Sequence, residues 1–239
     1  MQLTTKAIVL SSLKYGDTSL IVKAFTVSDG LKSYLLKGVL TSKRGKLKAA
    51  QFMPLTQLEL VATHKNKGTL ERIREAKVIN PYTSLHTQIE KNSIVLFVAE
   101  LLVNSIQEQE QDESLYHYLE YALFWLDNHD AVANFHILFL LNLSKYLGFY
   151  PDTSGIENPY FDLLDGCFVA SPTLNPLIQG DLLNRFKPFL GINFDAVPGM
   201  KIPRKARQEL LKLMVLYFEL HLHGFRKPRS LAVLNAVFD

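Results

Sequence analysis

Leu20-Ile-Val-Lys-Ala-Phe-Thr-Val27, then Asp29-Gly30, then Leu31-Lys-Ser-Tyr-Leu-Leu36 reads as two short strands joined by a tight turn. The first run mixes β-branched, aromatic and polar residues at strand length, and Asp-Gly favours the positive φ angles a hairpin needs. Working outward, Lys6–Leu13 precedes the hairpin, Thr56–His64 alternates in part, and Asn66-Lys67-Gly68 supplies a turn before Thr69–Ile79. Five short antiparallel strands within 1–80 suit a small closed or half-closed barrel, of which the OB-fold is one example. Half of a layered sandwich or an SH3-like barrel would give the same pattern.

From Pro81 the period becomes helical. Thr83–Gln107 carries Ile94, Phe97, Val98, Leu101 and Leu102 at helix spacing, and a second helix runs from Asp112 or Ser114 through Asn128. Ala131–Leu147 is apolar on most sides, which marks a central helix, and Gly148 ends it. Phe149 to Pro176 is rich in Pro, Gly, Asn and Asp and reads as a long irregular loop. Further helices are expected at Leu177–Lys187, Pro203–His223 and Ser230–Phe238. The reading is an α+β protein: a five-stranded OB-fold domain over 1–80, then a helical domain over 81–239 with the irregular loop at 149–176.

Charge follows the same division. Residues 1–80 carry 14 Lys/Arg and 5 Asp/Glu, residues 81–165 carry 2 and 13, and residues 166–239 carry 10 and 5, so a net of +3 conceals a basic head, an acidic middle and a basic tail. Positive charge concentrated on a β-rich segment points to a polyanion, most simply nucleic acid. The single cysteine, Cys167, excludes an internal disulfide and a Cys-rich zinc module. MQLTTKAIVL lacks the features of a signal peptide, and the longest apolar stretches are too short to span a bilayer. The expectation is a cytoplasmic protein with no membrane partner.

The strongest local signal is Lys37-Gly-Val-Leu-Thr-Ser-Lys43-Arg44-Gly45-Lys46-Leu-Lys48, with five Lys/Arg and two glycines in twelve residues. Such a cationic arm suits phosphates, because glycine lets backbone amides approach while ammonium and guanidinium groups pair with the oxygens. It is not a P-loop: six residues separate the glycines and Leu47 stands where a hydroxyl would hold magnesium. Lys14-Tyr15, Lys65, Lys67, Arg72 and Arg74 add to the expected DNA-binding surface. Phe25 and Phe52 are read as core; Tyr15 and Tyr34 fit either core or base stacking. A secondary basic patch comprises Lys201, Arg204, Lys205 and Arg207 at one helix start and Arg226, Lys227 and Arg229 before another. Positive charge at a helix N-terminus opposes the helix dipole, which hints at a partner.

Catalytic signatures are missing. His221 and His223 are two apart, so they cannot share a metal as an i, i+4 pair would. There is no Gly-x-Ser-x-Gly, His-Glu-x-x-His or Gly-x-Gly-x-x-Gly, and the acidic run Glu108, Glu110, Asp112, Glu113 reads as solvated surface. The chain is read as a non-enzyme with no cofactor and no metal.

Several segments, in this order and spacing, resemble the RecO family of bacterial recombination mediators. They are Lys6-Ala-Ile-Val-Leu10, Tyr15-Gly16-Asp17, Phe25-Thr26, Gly30, Lys37-Gly38, Gln51-Phe52-Met-Pro54-Leu55, Leu147-Gly-Phe-Tyr-Pro151 and Arg226-Lys-Pro-Arg229-Ser-Leu231. One departure stands out: many members carry two Cys-x-x-Cys pairs in the irregular loop, whereas this chain keeps Cys167 alone. The resemblance therefore implies a zinc-free variant, its loop held by packing of Tyr160, Phe161, Leu163, Leu164 and Phe168. It implies an N-terminal OB-fold, binding of single- and double-stranded DNA, and annealing of complementary strands without ATP. It further implies joining RecR and the acidic C-terminal tail of single-stranded DNA-binding protein, to help recombinase load in recombinational repair of DNA damage. The cell location implied is bacterial, cytoplasmic and nucleoid-associated. For the tail peptide, Ala131–Leu147 and Pro203–His223 are the candidate helices. The competing readings are a protein-interaction adaptor whose charged blocks pair between subunits, and an RNA-binding OB module.

Overall fold

The computed structural model describes residues 2–41, 46–65, 67–106 and 111–238. Lys43, Arg44 and Gly45 of the basic run, Asn66 of the second turn, and Gln107, Glu108 and Glu110 lie outside the described residues. The chain divides into two compact units, one ending at Asp127 and the other beginning at Asn128.

In the first unit, β1 (Gln2–Tyr15), β2 (Ser19–Thr26), β3 (Gly30–Leu36), β4 (Gln57–Thr63) and β5 (Arg72–Val78) form an antiparallel sheet in the order β3-β2-β1-β4-β5. The sheet is not a fully laddered barrel. Its two edges meet through one parallel bridge, in which Leu35 N–H donates to Glu71 O at 3.0 Å and Glu71 N–H donates to Ser33 O at 2.7 Å. That cyclic order and half-closed curl are those of an OB-like fold. Ala7, Val9, Leu20, Val22, Ala24, Tyr34, Leu36, Leu58, Leu60 and Ala62 fill the interior by strand alternation. The 3-10 turn Ala49–Phe52 brings Phe52, 1% exposed, against the same core.

Two β-bulges keep the alternation in phase. Leu10 is the extra residue where the β1–β2 register jumps from Val9 to Ser11. Arg74 is the extra residue of β5, so that Ile73 stands opposite Ala62 and Ala76 opposite Leu60, both on the core side, although they are three apart. A regular strand would have turned one of them outward.

Two helices complete this unit: α1 (Ile89–Ser105) and α2 (Glu113–Asn128). Asp112 starts α2 by accepting the Leu115 N–H at 2.8 Å. Phe25, on the face of β2 away from the barrel interior, stacks on Tyr116 at 6.4 Å between centroids. The buried carboxylate of Asp127 accepts the backbone N–H groups of Thr83, Ser84 and Leu85, at 2.9, 2.8 and 3.1 Å. Lys91, 2% exposed, donates to Ser84 Oγ and the Asp127 carbonyl. The strands end at Val78, but this tie packs the first two helices with them.

In the second unit, α3 (Phe135–Tyr146) is buried nearly all round, as its composition demands, and packs against α5 (Arg204–His221). The stretch expected as an irregular loop instead carries β6 (Tyr160–Asp162) and β7 (Cys167–Val169). The expected helix at 177–187 begins as β8 (Leu177–Gln179) before α4 (Gly180–Phe186). Together these strands form a three-stranded sheet in the order β7-β6-β8. Each strand is three residues long, below the length at which alternation is readable in sequence. Helix α6 (Leu231–Val237) closes the described chain.

Candidate nucleic-acid interface

The β1–β2 end of the barrel gathers one group of predicted contacts. Lys14 stands opposite Leu20, which stands opposite Leu36, so Lys37 follows directly at the neighbouring strand end. The Gly38 N–H donates to Ser19 Oγ at 3.3 Å and the Leu40 N–H to Thr18 O at 2.9 Å, folding the start of the basic arm over the β1–β2 turn. Gly16 and Gly38 take φ of 59° and 68° there, which only glycine adopts freely. Lys14, Tyr15 and Lys37 are exposed, and Tyr15 at 57% lies two residues from Leu13 at 62% on one strand face. An exposed ring and two exposed lysines at neighbouring strand ends supply the groups that a base-stacking, phosphate-neutralising contact uses.

Lys43 and Arg44 lie outside the described residues. Lys46, where the arm returns, pairs with Glu75 of β5 at 2.8 Å, and its hydrogen bond holds the Glu75 carboxyl below the usual range. Both partners are largely exposed, so the pair adds little stability and exchanges readily for a phosphate. Lys48 keeps an exposed side chain while its N–H donates to Gln51 Oε1.

At the opposite end of the β2–β3 hairpin, Lys65 and Lys67 flank the β4–β5 turn, and Arg72 and Arg74 open β5. All four are exposed. The bulge at Arg74 leaves room outside the barrel for its guanidinium, which reaches Gln2 Oε1 at 3.5 Å.

Tyr34 is not a stacking platform: it is fully buried in the barrel. Its hydroxyl donates to His64 Nε2 at 2.7 Å, and His64 Nδ1–H donates to Asp29 Oδ2 at 2.8 Å. Burial, with the negative charges of Asp29 and Glu71, pushes the Tyr34 phenol up and keeps it a donor. The relay ties the β2–β3 turn to the end of β4. Phe25 and Phe52 are core, as read from sequence.

Two lysines escaped the sequence reading, Lys23 and Lys32, because charge was sought in runs and turns and both sit mid-strand. Between Ser19 and Thr26 the hairpin spans about 23 Å at roughly 3.3 Å per residue. Along it lie Lys14, Tyr15 and Lys37 at one end and Lys65 and Lys67 at the other, while in the middle Lys23 stands on the outer face of β2 and Lys32 on the inner face of β3. In OB-folds the second and third strands, with the loops flanking them, are where oligonucleotides bind.

In the second unit, the basic tail divides. Lys201 precedes α5 and Arg204, Lys205 and Arg207 occupy its first turn, which has no acidic residue. Arg207 is half-buried over the Phe238 ring at 5.7 Å, and burial lowers its pKa. Arg226, Lys227 and Arg229 follow the far end of α5, and Lys227 pairs with Glu219 at 3.2 Å. Fifteen residues of helix separate Glu219 from Arg204, about 22 Å of axis, so the tail holds two cationic groups and not one patch.

The loop that would hold zinc is organised around a carboxylate. Asp162, fully buried, accepts from the Leu164 and Asp165 N–H groups, Thr173 Oγ1 and Asn175 Nδ2, at 2.9, 3.1, 2.6 and 3.1 Å. Burial raises its pKa, but these donors outweigh burial and the net shift is downward. Phe161, Leu163 and Phe168 pack as expected, whereas Leu164 points out at 44% exposure because its N–H turns toward Asp162. Burial and the nearby Asp165, Asp162 and Asp152 push the Cys167 thiol up, away from the thiolate a metal needs. Among the described residues no three His, Cys, Asp or Glu converge on a metal-sized site. The donors present do not fit a tetrahedral zinc site. Also among the described residues, no helix is long and apolar enough to cross a membrane.

Residues 1–82 match the family described as "Recombination protein O N terminal", and residues 86–231 match "Recombination protein O C terminal". The chain is similar to the DNA repair protein RecO of Christiangramia forsetii, 51% identical over the full length of both chains. It is also similar to the protein of that name from Flavobacterium psychrophilum, 48% identical over the full length of both. That of Bacteroides fragilis is 36% identical over 98% of each.

Proposed function

This chain belongs to the RecO family, and on that premise we propose that it acts in recombinational DNA repair as a non-catalytic mediator. It binds single- and double-stranded DNA, anneals complementary strands without ATP, and helps recombinase load onto strands coated by single-stranded DNA-binding protein. The observation that carries the reading is the cationic track along the β2–β3 hairpin, which neutralises phosphates without consulting base identity. Annealing brings two polyanions together, and a surface that screens both lowers their repulsion. RecR and the acidic tail of single-stranded DNA-binding protein are the expected protein partners. For the tail, α3 offers no free face, since nine of its twelve residues are buried. Helix α5, with Arg204 and Lys205 exposed, is the better candidate.

The test is annealing of two complementary oligonucleotides at several salt concentrations without ATP, wild type beside the Lys43/Arg44/Lys46/Lys48→Ala protein. The expected result is acceleration by the wild type and its loss in the variant. Acceleration that survives the change moves the contact to Lys14, Lys37 or the tail. A wild type that binds no DNA in a salt-sensitive way ends the proposal.

A further inference from the structure

Two leucines of the second unit stand in water on turns that are held in place. Leu174, 106% exposed, lies between Thr173 and Asn175, whose side chains donate to Asp162 Oδ2 at 2.6 and 3.1 Å. Leu164, 44% exposed, and its neighbour Asp165 both donate backbone N–H groups to Asp162 Oδ1, at 2.9 and 3.1 Å. A lone exposed leucine is ordinary on a protein surface. Two of them on turns fixed to one buried carboxylate form an apolar projection that is ordered before any partner arrives, which lowers the entropic cost of docking. From Tyr146 to Asn184 the sequence has no Lys or Arg, and Asp152, Glu157, Asp165 and Asp181 are exposed. The projection therefore repels nucleic acid and suits an apolar recess edged with cations.

The same unit supplies such a recess. Between the end of α4 and the segment before α5 lies an open cleft of about 300 Å³. Pro188, Met200 and Ile202 line it with apolar surface, and Arg185 and Lys201 bring positive charge. Lys201 is exposed, and Arg185 pairs with Asp181 at 2.8 Å in a contact open to water, which exchanges readily for another carboxylate. We propose that a second copy of this chain is the occupant: Leu174 of one molecule enters the Met200–Ile202 cleft of the next, with Leu164 beside it and Asp165 facing Lys201. Projection and cleft are different patches, so the contact is heterologous and leaves each pair with one free projection and one free cleft. Copies therefore add head to tail. The contact is small against the roughly 1,200 Å² of a stable interface, so association is weak and grows with local concentration.

The test is sedimentation equilibrium of the full chain without DNA, over about a hundredfold range of concentration, at low and high salt. The expected result is a weight-average mass that rises with concentration and falls as salt is added. Leu174→Asp spoils the projection and Lys201→Glu reverses the charge of the cleft; both positions are exposed, so neither change should disturb the fold. Each variant alone should associate at least about tenfold more weakly than wild type. Mixed one to one, the two should form a dimer and nothing larger, since the mixture offers one intact projection and one intact cleft per pair. A wild type that stays monomeric across the range, variants that associate as wild type does, or a mixture that stays monomeric overturns the contact. None of these results bears on the DNA-binding reading, which concerns the barrel of the other unit.

Discussion

Single side chains decide more of this protein than their number suggests. Asp162 collects four donors in a site without water access, so Asp162→Ala leaves buried N–H and O–H groups unpaired. The expected loss is about 3 kcal/mol or more by urea denaturation, with the region of β6 to β8 loosening first. His136 of α3 is buried and held neutral, its pKa pushed down to about 3 by burial and the neighbouring Arg207. The unfolded chain binds that proton near its ordinary value of about 6.5. Stability from this group is thus complete above that value and is lost as pH falls toward the folded value, at up to about 1.4 kcal/mol per pH unit. His136→Gln should flatten the slope of stability against pH between about 6.5 and 5.5, a window above the ordinary carboxylate range. Tyr15 carries a different prediction. If its exposed ring stacks on a base, Tyr15→Ala weakens single-strand binding by about 1–3 kcal/mol and leaves melting unchanged. A melting shift with unaltered binding would instead make the ring structural.

Secondary elements show where sequence pattern speaks and where packing overrides it. The hairpin β2–β3 was legible because alternation and Asp29-Gly30 agree, and α2 because Asp112 caps an amphipathic run. The segment 149–176 was illegible as strands because three-residue rungs carry no period and the residue that organises them is one carboxylate among several. The α1–α2 attachment was equally hidden. Asp127 and Ser84 lie 43 residues apart, and nothing local marks Asp127 as an anchor and not an exposed helix end. Burial raises its pKa, but N–H donation from Thr83, Ser84 and Leu85 with the Ser84 hydroxyl brings it net below the ordinary value. Asp127→Ala should therefore destabilise the first unit by about 3 kcal/mol, whereas Asp130→Ala should move the urea midpoint little, Asp130 being exposed.

Across the whole molecule, the uneven charge visible in sequence resolves into a track on one hairpin and two groups at the ends of α5. The basic run drew attention to one end of that track. The middle of it was invisible, because whether a mid-strand lysine is solvated or enclosed depends on which strand edge closes over it. Replacing Lys14 and Lys37 together should reduce the slope of log affinity against log salt for single strands by about 1.4, roughly 0.7 per contact. An unchanged slope would remove that end of the hairpin from the interface.

Among the described residues the two edges of the sheet are held by a single rung between β3 and Glu71, whereas every other neighbouring pair has a ladder. Local opening begins where fewest bonds must break at once. The Leu35 and Glu71 amides should thus exchange with deuterated solvent ahead of those in β1 and β4. A DNA strand bound across this seam would act as a zip. Slower exchange at these two amides would record occupancy from the protein's own backbone, with no label on the DNA.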